Sequence, residues 1–120
     1  MTDKMTEHFS RKEFACKCGC GSDNISRALV LLLQNVRDEY PFPISISSGI
    51  RCQDHNHAVG GVEDSAHLKG LAADLVCYQA HSRFMLLRQL LHWFDRIIIY
   101  KDFIHVDIDD SKPSPIVLLK

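Results

Sequence analysis

The sequence predicts an α+β fold in which helices flank a small, mostly antiparallel sheet. Two long stretches repeat apolar residues at helical spacing, and several shorter runs have the alternation or the Ile and Val content of strands. Two of the runs near the C-terminus are separated by only a few residues, which favours a hairpin. The resulting order of helix, strand, loop, strand, helix and hairpin is typical of this fold class.

The first half of the chain is predicted to contain a helical turn, a long helix and a strand. Ser10 and Glu13 have the spacing of a capping box, which predicts the turn. The long helix is expected at about Ser26–Tyr40, where two prolines follow and end it. Its apolar residues at helical spacing are Leu29, Leu32, Leu33, Val36 and Tyr40. Alternation in Ile44–Ser47 predicts a strand, and the loop that follows through Val62 is long enough to indicate a functional role.

The second half is predicted to contain a strand, a helix and a hairpin. A strand is expected at Leu71–Cys77 and a helix at Ala80–Trp93. The residues expected on one apolar side of this helix are Phe84, Leu87, Leu91 and Phe94. Ile97–Tyr100 and Phe103–Ile108 are predicted to pair as antiparallel strands through the tight connection Lys101-Asp102.

Composition limits the classes of partner. We expect a single domain spanning residues 1–120, because this length is usual for one domain. The net charge is −1, and the basic residues are scattered, which argues against a nucleic-acid partner. No apolar run is long enough to span a membrane, so we expect no membrane partner. We also expect the protein to be a monomer. Met1-Thr2-Asp3-Lys4 lacks the apolar core of a signal peptide, which predicts synthesis in the cytoplasm and release by a separate factor.

The five cysteines leave two interpretations open. They are Cys16, Cys18, Cys20, Cys52 and Cys77, an odd number that leaves at least one thiol outside any intrachain disulfide. The run Cys-Lys-Cys-Gly-Cys lacks the Cys-x-x-Cys spacing of zinc knuckles and redox pairs, which favours a Gly-containing loop with small, partly buried thiols. The alternative is a second zinc site, to which Cys52 would add a ligand from outside the loop.

Three side chains could together hold a zinc ion: His67, Asp74 and His105. Zinc binds imidazole nitrogen and carboxylate oxygen, and a catalytic site keeps its fourth position open for water. The separation of His67 and Asp74 suits a loop residue followed by a residue on the strand that the loop feeds. A carboxylate in the apolar run Leu71–Cys77 is costly unless a metal or a cation pairs with it. A salt bridge for Asp74 and an ordinary strand histidine at position 105 are the alternatives.

Residues Ser65–Asp74 resemble the signature of the zinc D-Ala-D-Ala carboxypeptidase family. The family pattern Ser-x-His-x-x-Gly-x-Ala-x-Asp is matched at every fixed position. Phe103–Asp107 resembles the later strand that carries the third zinc ligand, and Ser48–Arg51 resembles a Ser-Gly-aromatic-Arg segment, with Ile50 in place of the aromatic residue. The resemblance implies a small α+β fold shared with hedgehog signalling domains, a zinc cofactor and cleavage of peptidoglycan peptides.

The resemblance also implies roles for individual residues. Asp102, three positions before His105, would be the general base that takes a proton from a water activated by zinc. Arg51 would bind the substrate carbonyl or carboxylate and stabilise the developing oxyanion, and Ser65 would bind substrate or orient its loop. Asp107 competes for the role of base, but two residues from His105 it is better placed to orient that ligand.

We interpret the sequence as a zinc metallopeptidase that hydrolyses peptidoglycan stem peptides, as a D,D-carboxypeptidase or an endopeptidase. A small domain of this kind suits a phage lysis enzyme or a virion component that opens the cell wall. The alternative is a non-catalytic zinc-binding module of the same fold, which would act in cell-wall or protein binding. A metal nuclease that uses His55 and His57 is a weaker interpretation, because no basic groove accompanies these residues.

Overall fold

The computed structural model describes residues 3–120 and confirms the predicted α+β fold. The helices are α1 (Arg27–Glu39), α2 (Gln53–Ala58) and α3 (Ala80–Trp93), and two 3-10 helices span Arg11–Phe14 and Ala66–Lys69. The strands are β1 (Ile46–Ser48), β2 (Ala72–Val76), β3 (Arg96–Ile99), β4 (Phe103–Asp107) and β5 (Ile116–Leu119). Among the described residues, no helix has the length and apolar character needed to cross a membrane.

The five strands form one sheet in the order β1-β2-β4-β3-β5. Every pair is antiparallel except β3 with β5, so the sheet is mostly antiparallel, as predicted. The predicted hairpin is formed by β3 and β4. This order places β4 at the centre of the sheet, with β2 on one side and β3 on the other.

Alternation along β2 and β4 gives the sheet two different faces. On one face Ala73, Leu75, Ile104 and Val106 join the hydrophobic core, which also contains buried side chains of α1 and α3. Residues at the intervening positions point the opposite way, so Asp74, His105 and Asp107 lie on the other face of the sheet. The core face therefore anchors the strands, while the opposite face is left for polar side chains.

The long helix α1 follows its sequence signals closely. The Ser26 side chain accepts a hydrogen bond from the Leu29 N–H at 3.3 Å, which caps the first turn. Leu29, Leu33 and Val36 are fully buried, as their helical spacing predicts.

Helix α3 has the predicted bounds, but its predicted apolar side is only partly correct: Phe94 is buried and Leu87 packs against the core. Leu86 and Leu90 are buried, whereas Phe84 and Leu91 are 63% and 55% exposed. Apolar residues occur on nearly all sides of this helix, so the sequence does not define one face, and packing against α1 selects Leu86 and Leu90.

Three elements were not predicted: the 3-10 helix Ala66–Lys69, helix α2 and strand β5. Helix α2 lies in the expected loop after β1, and its residues Gln-Asp-His-Asn-His-Ala have no apolar repeat that would indicate a helix. Strand β5 extends the sheet next to β3, in the C-terminal apolar run that had no predicted partner.

Candidate metal centre

The sheet register brings Asp74 and His105 together. Asp74 on β2 is directly opposite His105 on β4, and directly opposed residues project their side chains on the same face. His105 Nδ1 lies 2.9 Å from Asp74 Oδ1. The pairing of the two central strands therefore fixes this contact.

A short turn brings His67 to the same carboxylate. The turn is the 3-10 helix Ala66–Lys69, which begins after Ser65 and ends at Gly70 in the left-handed region, at φ 70°. A Cβ at Gly70 would lie 2.5 Å from the Asn24 carbonyl oxygen, so only glycine fits this close approach. The His67 ring is buried, and its Nε2 lies 3.2 Å from Asp74 Oδ1.

Hydrogen bonds on the far side of each ring identify the nitrogen that faces the carboxylate. His67 Nδ1 is 2.7 Å from the Gly49 carbonyl oxygen, which can only accept, so Nδ1 carries the proton. His105 Nε2 donates to Asp107 Oδ2 at 2.8 Å. Each neutral ring therefore directs the lone pair of its other nitrogen toward Asp74.

This donor set fits a zinc ion. One ligand atom from each of His67, Asp74 and His105 lies within 4.8 Å of the others, and two imidazoles with one carboxylate form a known zinc ligand set. Two nitrogen lone pairs directed at one carboxylate oxygen repel it unless a proton or a cation lies between them. The geometry therefore calls for a positive charge at this point.

The close contacts among Asp74, His67 and His105 also shift the pKa values of Asp74 and His105. Burial opposes ionisation of Asp74, but hydrogen bonds from His105 and His67 outweigh it and lower the Asp74 pKa to about 2. Burial also disfavours the charged form of His105, yet its bonds to Asp107 and Asp74 raise the His105 pKa. The raised pKa favours a proton on His105 when no metal is bound, and a metal ion would take the place of that proton.

Arg51 approaches the group from the other side of the carboxylate. Its Nη2 is 3.4 Å from Asp74 Oδ2, while Nε donates to Ser48 Oγ at 3.1 Å. Nη1 donates to Asn56 Oδ1 at 3.1 Å, and Asn56 Nδ2 in turn donates to the Val62 carbonyl at 2.9 Å. These contacts hold the loop between Asn56 and Val62 and fix the direction of the guanidinium.

Asp107 is held from three sides. Besides His105, its carboxylate accepts from Arg96 Nε at 2.7 Å and from the Asp109 N–H at 3.1 Å. Burial would raise the Asp107 pKa, but the hydrogen bonds from His105 and its other partners lower it. Asp107 is therefore an ionised, immobile acceptor that orients the His105 ring.

A cavity of about 450 Å³ opens over these residues. His67, Asp74, His105 and Asp107 form part of its wall, together with Arg51. The other contributors include Ser65, the segment from Val59 to Val62, and side chains of β3 and β5. The candidate metal ligands therefore face a cavity that a substrate group can occupy.

The Peptidase M15 family model matches residues 7–107, which include all of these side chains. The chain belongs to the peptidase M15 family. A search of curated proteins finds no match. Family membership agrees with the resemblance of Ser65–Asp74 to the zinc D-Ala-D-Ala carboxypeptidase signature, and it indicates a metal-dependent peptidase.

The other predicted site residues of this M15 chain differ in their placement. Ser65 is buried at the cavity wall, and its Oγ accepts from the His67 N–H at 3.2 Å, which orients the turn that carries this histidine. Asp102 is exposed in the turn between β3 and β4 and is not among the residues that line the cavity. The structure thus joins Ser65 to the candidate metal ligands but leaves Asp102 away from them.

Arg96 was missed at the sequence level. It is buried at the start of β3, where it binds Asp107 and the Pro113 carbonyl oxygen. The available signal was the same one that identified Asp74, a charged residue at the edge of an apolar strand, here followed by three isoleucines.

Proposed function

We propose that this chain is a zinc metallopeptidase that hydrolyses peptide bonds in peptidoglycan stem peptides. The observation that carries this proposal is the pair of imidazole nitrogens of His67 and His105 directed at one oxygen of Asp74, at the wall of a cavity. Family membership supports peptidase chemistry, and the match of Ser65–Asp74 to the D-Ala-D-Ala carboxypeptidase signature supports the peptidoglycan substrate.

His67, Asp74 and His105 would hold the zinc ion, which, when bound, supplies a Lewis acid for the scissile carbonyl and a water molecule of lowered pKa. Arg51 would bind the carbonyl oxygen of the substrate or its terminal carboxylate. Its guanidinium is held by Ser48 and Asn56, so it can face developing negative charge with little reorganisation. The role of Asp107 would be to keep His105 in the tautomer whose Nδ1 is free.

We assign the general base to Asp102 rather than to Asp107. Both oxygens of Asp107 already accept hydrogen bonds from buried partners, which leaves it poorly suited to take another proton. Asp102 is exposed, at the start of the strand that carries His105, and a catalytic base often reaches its working position only in the substrate complex. This assignment requires the Asp102 side chain to turn into the cavity when substrate binds.

The test is digestion of purified peptidoglycan by the zinc-loaded protein, with and without a chelator, followed by mass analysis of the fragments. We expect chelator-sensitive products. Loss of terminal alanine would identify a carboxypeptidase, and separated cross-links or released stems would identify an endopeptidase. The matched pair is His67→Ala, expected to be inactive, and His92→Ala, an exposed histidine on α3 that should leave the products unchanged. Absence of any chelator-sensitive product would exclude the enzyme.

The position of Asp102 also favours a second candidate, a zinc-binding module without catalysis. Among the described residues the carboxylates that line the cavity are Asp74 and Asp107, and both are fully engaged. Such a module would bind zinc and wall peptides but yield no hydrolysis product, and Asp102→Asn would leave peptide binding unchanged.

A further inference from the structure

Four of the five cysteines meet in a second cluster that shares no residue with the metal centre. One sulfur from each of Cys16, Cys18, Cys20 and Cys52 lies within 4.8 Å of the others. The Cys16 and Cys18 sulfurs are 3.4 Å apart, and those of Cys18 and Cys52 are 3.6 Å apart. The first three thiols come from one loop, and the fourth comes from the residue that precedes α2.

Backbone geometry wraps this loop around its own sulfur atoms. The Cys16 N–H donates to the Ser22 carbonyl at 2.8 Å, which closes the loop, and the Gly19 N–H donates to the Cys16 carbonyl at 3.2 Å. Gly19 and Gly21 have positive φ values of 84° and 91°, which L side chains rarely adopt. These left-handed turns let closely spaced cysteines converge on one point, a result that their spacing alone does not suggest.

The sulfur atoms are placed as metal ligands rather than as disulfides. In a tetrahedral site with zinc–sulfur bonds of about 2.3 Å, neighbouring sulfurs are about 3.8 Å apart, whereas a disulfide bond is about 2.05 Å long. The observed separations of 3.4 and 3.6 Å are close to the first value. Backbone N–H groups also point at two of the sulfurs, from Cys52 to Cys16 Sγ at 3.4 Å and from His55 to Cys52 Sγ at 3.3 Å.

We propose that Cys16, Cys18, Cys20 and Cys52 form a structural zinc site of four thiolates. Four protein ligands fill a tetrahedral zinc site completely, so no position is left for water or substrate. Hydrogen bonds from backbone N–H groups to the sulfurs stabilise the thiolate form that the metal requires. This proposal does not depend on the peptidase function proposed above.

The site would hold the segment that carries Arg51. Cys52 follows Arg51 directly, and the Ile50 N–H donates to the Phe14 carbonyl at 2.8 Å, close to the start of the cysteine loop. On its other side the Arg51 N–H donates to the His67 carbonyl at 3.0 Å. Zinc at the cysteine cluster would therefore connect the N-terminal loop to the segment between β1 and α2, and Arg51 would be positioned through it.

The experiment measures zinc per chain in protein purified with zinc and without chelator. The double variant Cys18→Ser/Cys20→Ser should lose one zinc ion per chain relative to wild type, and Cys77→Ser, the cysteine outside the cluster, should lose none. His67→Ala should keep the zinc that the double variant loses. The measured quantity is the difference between wild type and the double variant. A failure of His67, Asp74 and His105 to bind zinc would lower the zinc content of both proteins equally, and a failure of catalysis alone would change neither value.

Two measurements on the wild-type chain do not depend on the folding of a variant. Titration with a mercurial thiol reagent should release one zinc ion as four thiols react, and cobalt in place of zinc should give an intense thiolate-to-metal charge-transfer band. The proposal is overturned if four thiols react without zinc release, if mass analysis finds a disulfide within the cluster, or if the purified protein carries iron there. Unchanged zinc content in a folded Cys18→Ser/Cys20→Ser variant would overturn it as well.

Discussion

The two groups of candidate metal ligands have contrasting structural settings. His67, Asp74 and His105 lie on a strand pair and a short turn, and each imidazole is fixed by a hydrogen bond on its far side. The four cysteines lie on a loop and beside a short helix, and two of them are exposed. In the first group the framework fixes the donors before a metal arrives, whereas in the second the metal itself would fix the loop.

This contrast indicates a catalytic role for the first group and a structural role for the second. The first group has three donors at the wall of a cavity, which leaves room for a water molecule and a substrate. The second has four sulfur donors and no remaining position. Loss of metal from the first should therefore abolish activity with little change in the fold, and loss from the second should loosen the N-terminal loop and reduce activity only through Arg51.

The largest effect is expected for His67→Ala. Removal of this buried ligand should reduce hydrolysis of peptidoglycan to the level of the chelator-treated protein, because two donors hold zinc poorly. The measurement is product formation together with zinc per chain and the thermal unfolding midpoint. Activity that persists at more than background level in His67→Ala would contradict the assignment of this histidine as a ligand.

Asp102→Asn comes next and tests the general base. We expect a fall in kcat of roughly 10²–10⁴-fold with zinc content unchanged, since general acid–base catalysis contributes about this much. Asparagine has nearly the same shape as aspartate but cannot accept the proton, so KM should change little. The control is Asp110→Asn, an exposed aspartate in the C-terminal tail that does not line the cavity. Equal rates for the two variants would assign the base elsewhere.

The sequence predicts those residues of the candidate metal centre that their own strand or motif marks. Asp74 and His105 could be paired from the sequence, because both lie in apolar strands where a polar side chain needs a partner. The signature around His67 resembles a known family, and the fold places this residue beside Asp74. Arg96 was not found, because the predicted strand began at Ile97, whereas β3 begins one residue earlier and brings Arg96 next to Asp107 on β4.

The cysteine cluster, helix α2 and the exposure of Asp102 could not be predicted, because no local sequence pattern indicates them. The spacing of Cys16, Cys18 and Cys20 argued against a metal site, yet the left-handed backbone of Gly19, between the last two cysteines, and of Gly21, directly after them, changes the direction of the chain. Helix α2 is polar except for Ala58, so no apolar periodicity marks it. The exposure of Asp102 depends on the side to which a turn residue points, which the residue spacing does not determine.

A smaller effect on the metal centre is expected for Asp107→Asn. The amide can still accept a hydrogen bond from His105, but it no longer holds the charge that fixes the ring and pairs with Arg96. Removal of such a supporting partner costs about 10–100-fold in metal affinity, which zinc titration against a competing chelator would measure. The cysteine site should keep its affinity in this variant. A kcat that falls by several orders of magnitude at saturating zinc would instead make Asp107 the base.

The pH dependence of the unfolding free energy of the metal-free protein should also distinguish the group of His67, Asp74 and His105 from the cysteine cluster. The Asp74 pKa is lowered from 3.8 to about 2, so its contribution is present above pH 3.8 and is lost as the pH falls toward 2. This shift corresponds to about 2 kcal/mol of unfolding free energy. The His105 pKa is raised above 6.5, so its contribution is complete below pH 6.5 and is lost as the pH rises through the raised value.

Chemical unfolding of the metal-free protein should therefore give a stability maximum between these two limits. In Asp74→Asn the acid limb should shrink but remain, because the Asp107 pKa is lowered as well. The alkaline limb should also shrink, because His105 loses one of its two carboxylate partners. The same acid limb should survive in Cys18→Ser/Cys20→Ser, since the cysteine cluster contains no carboxylate. An acid limb that is equally strong in Asp74→Asn would mean that another carboxylate, and not the one between the two imidazoles, links proton binding to the fold.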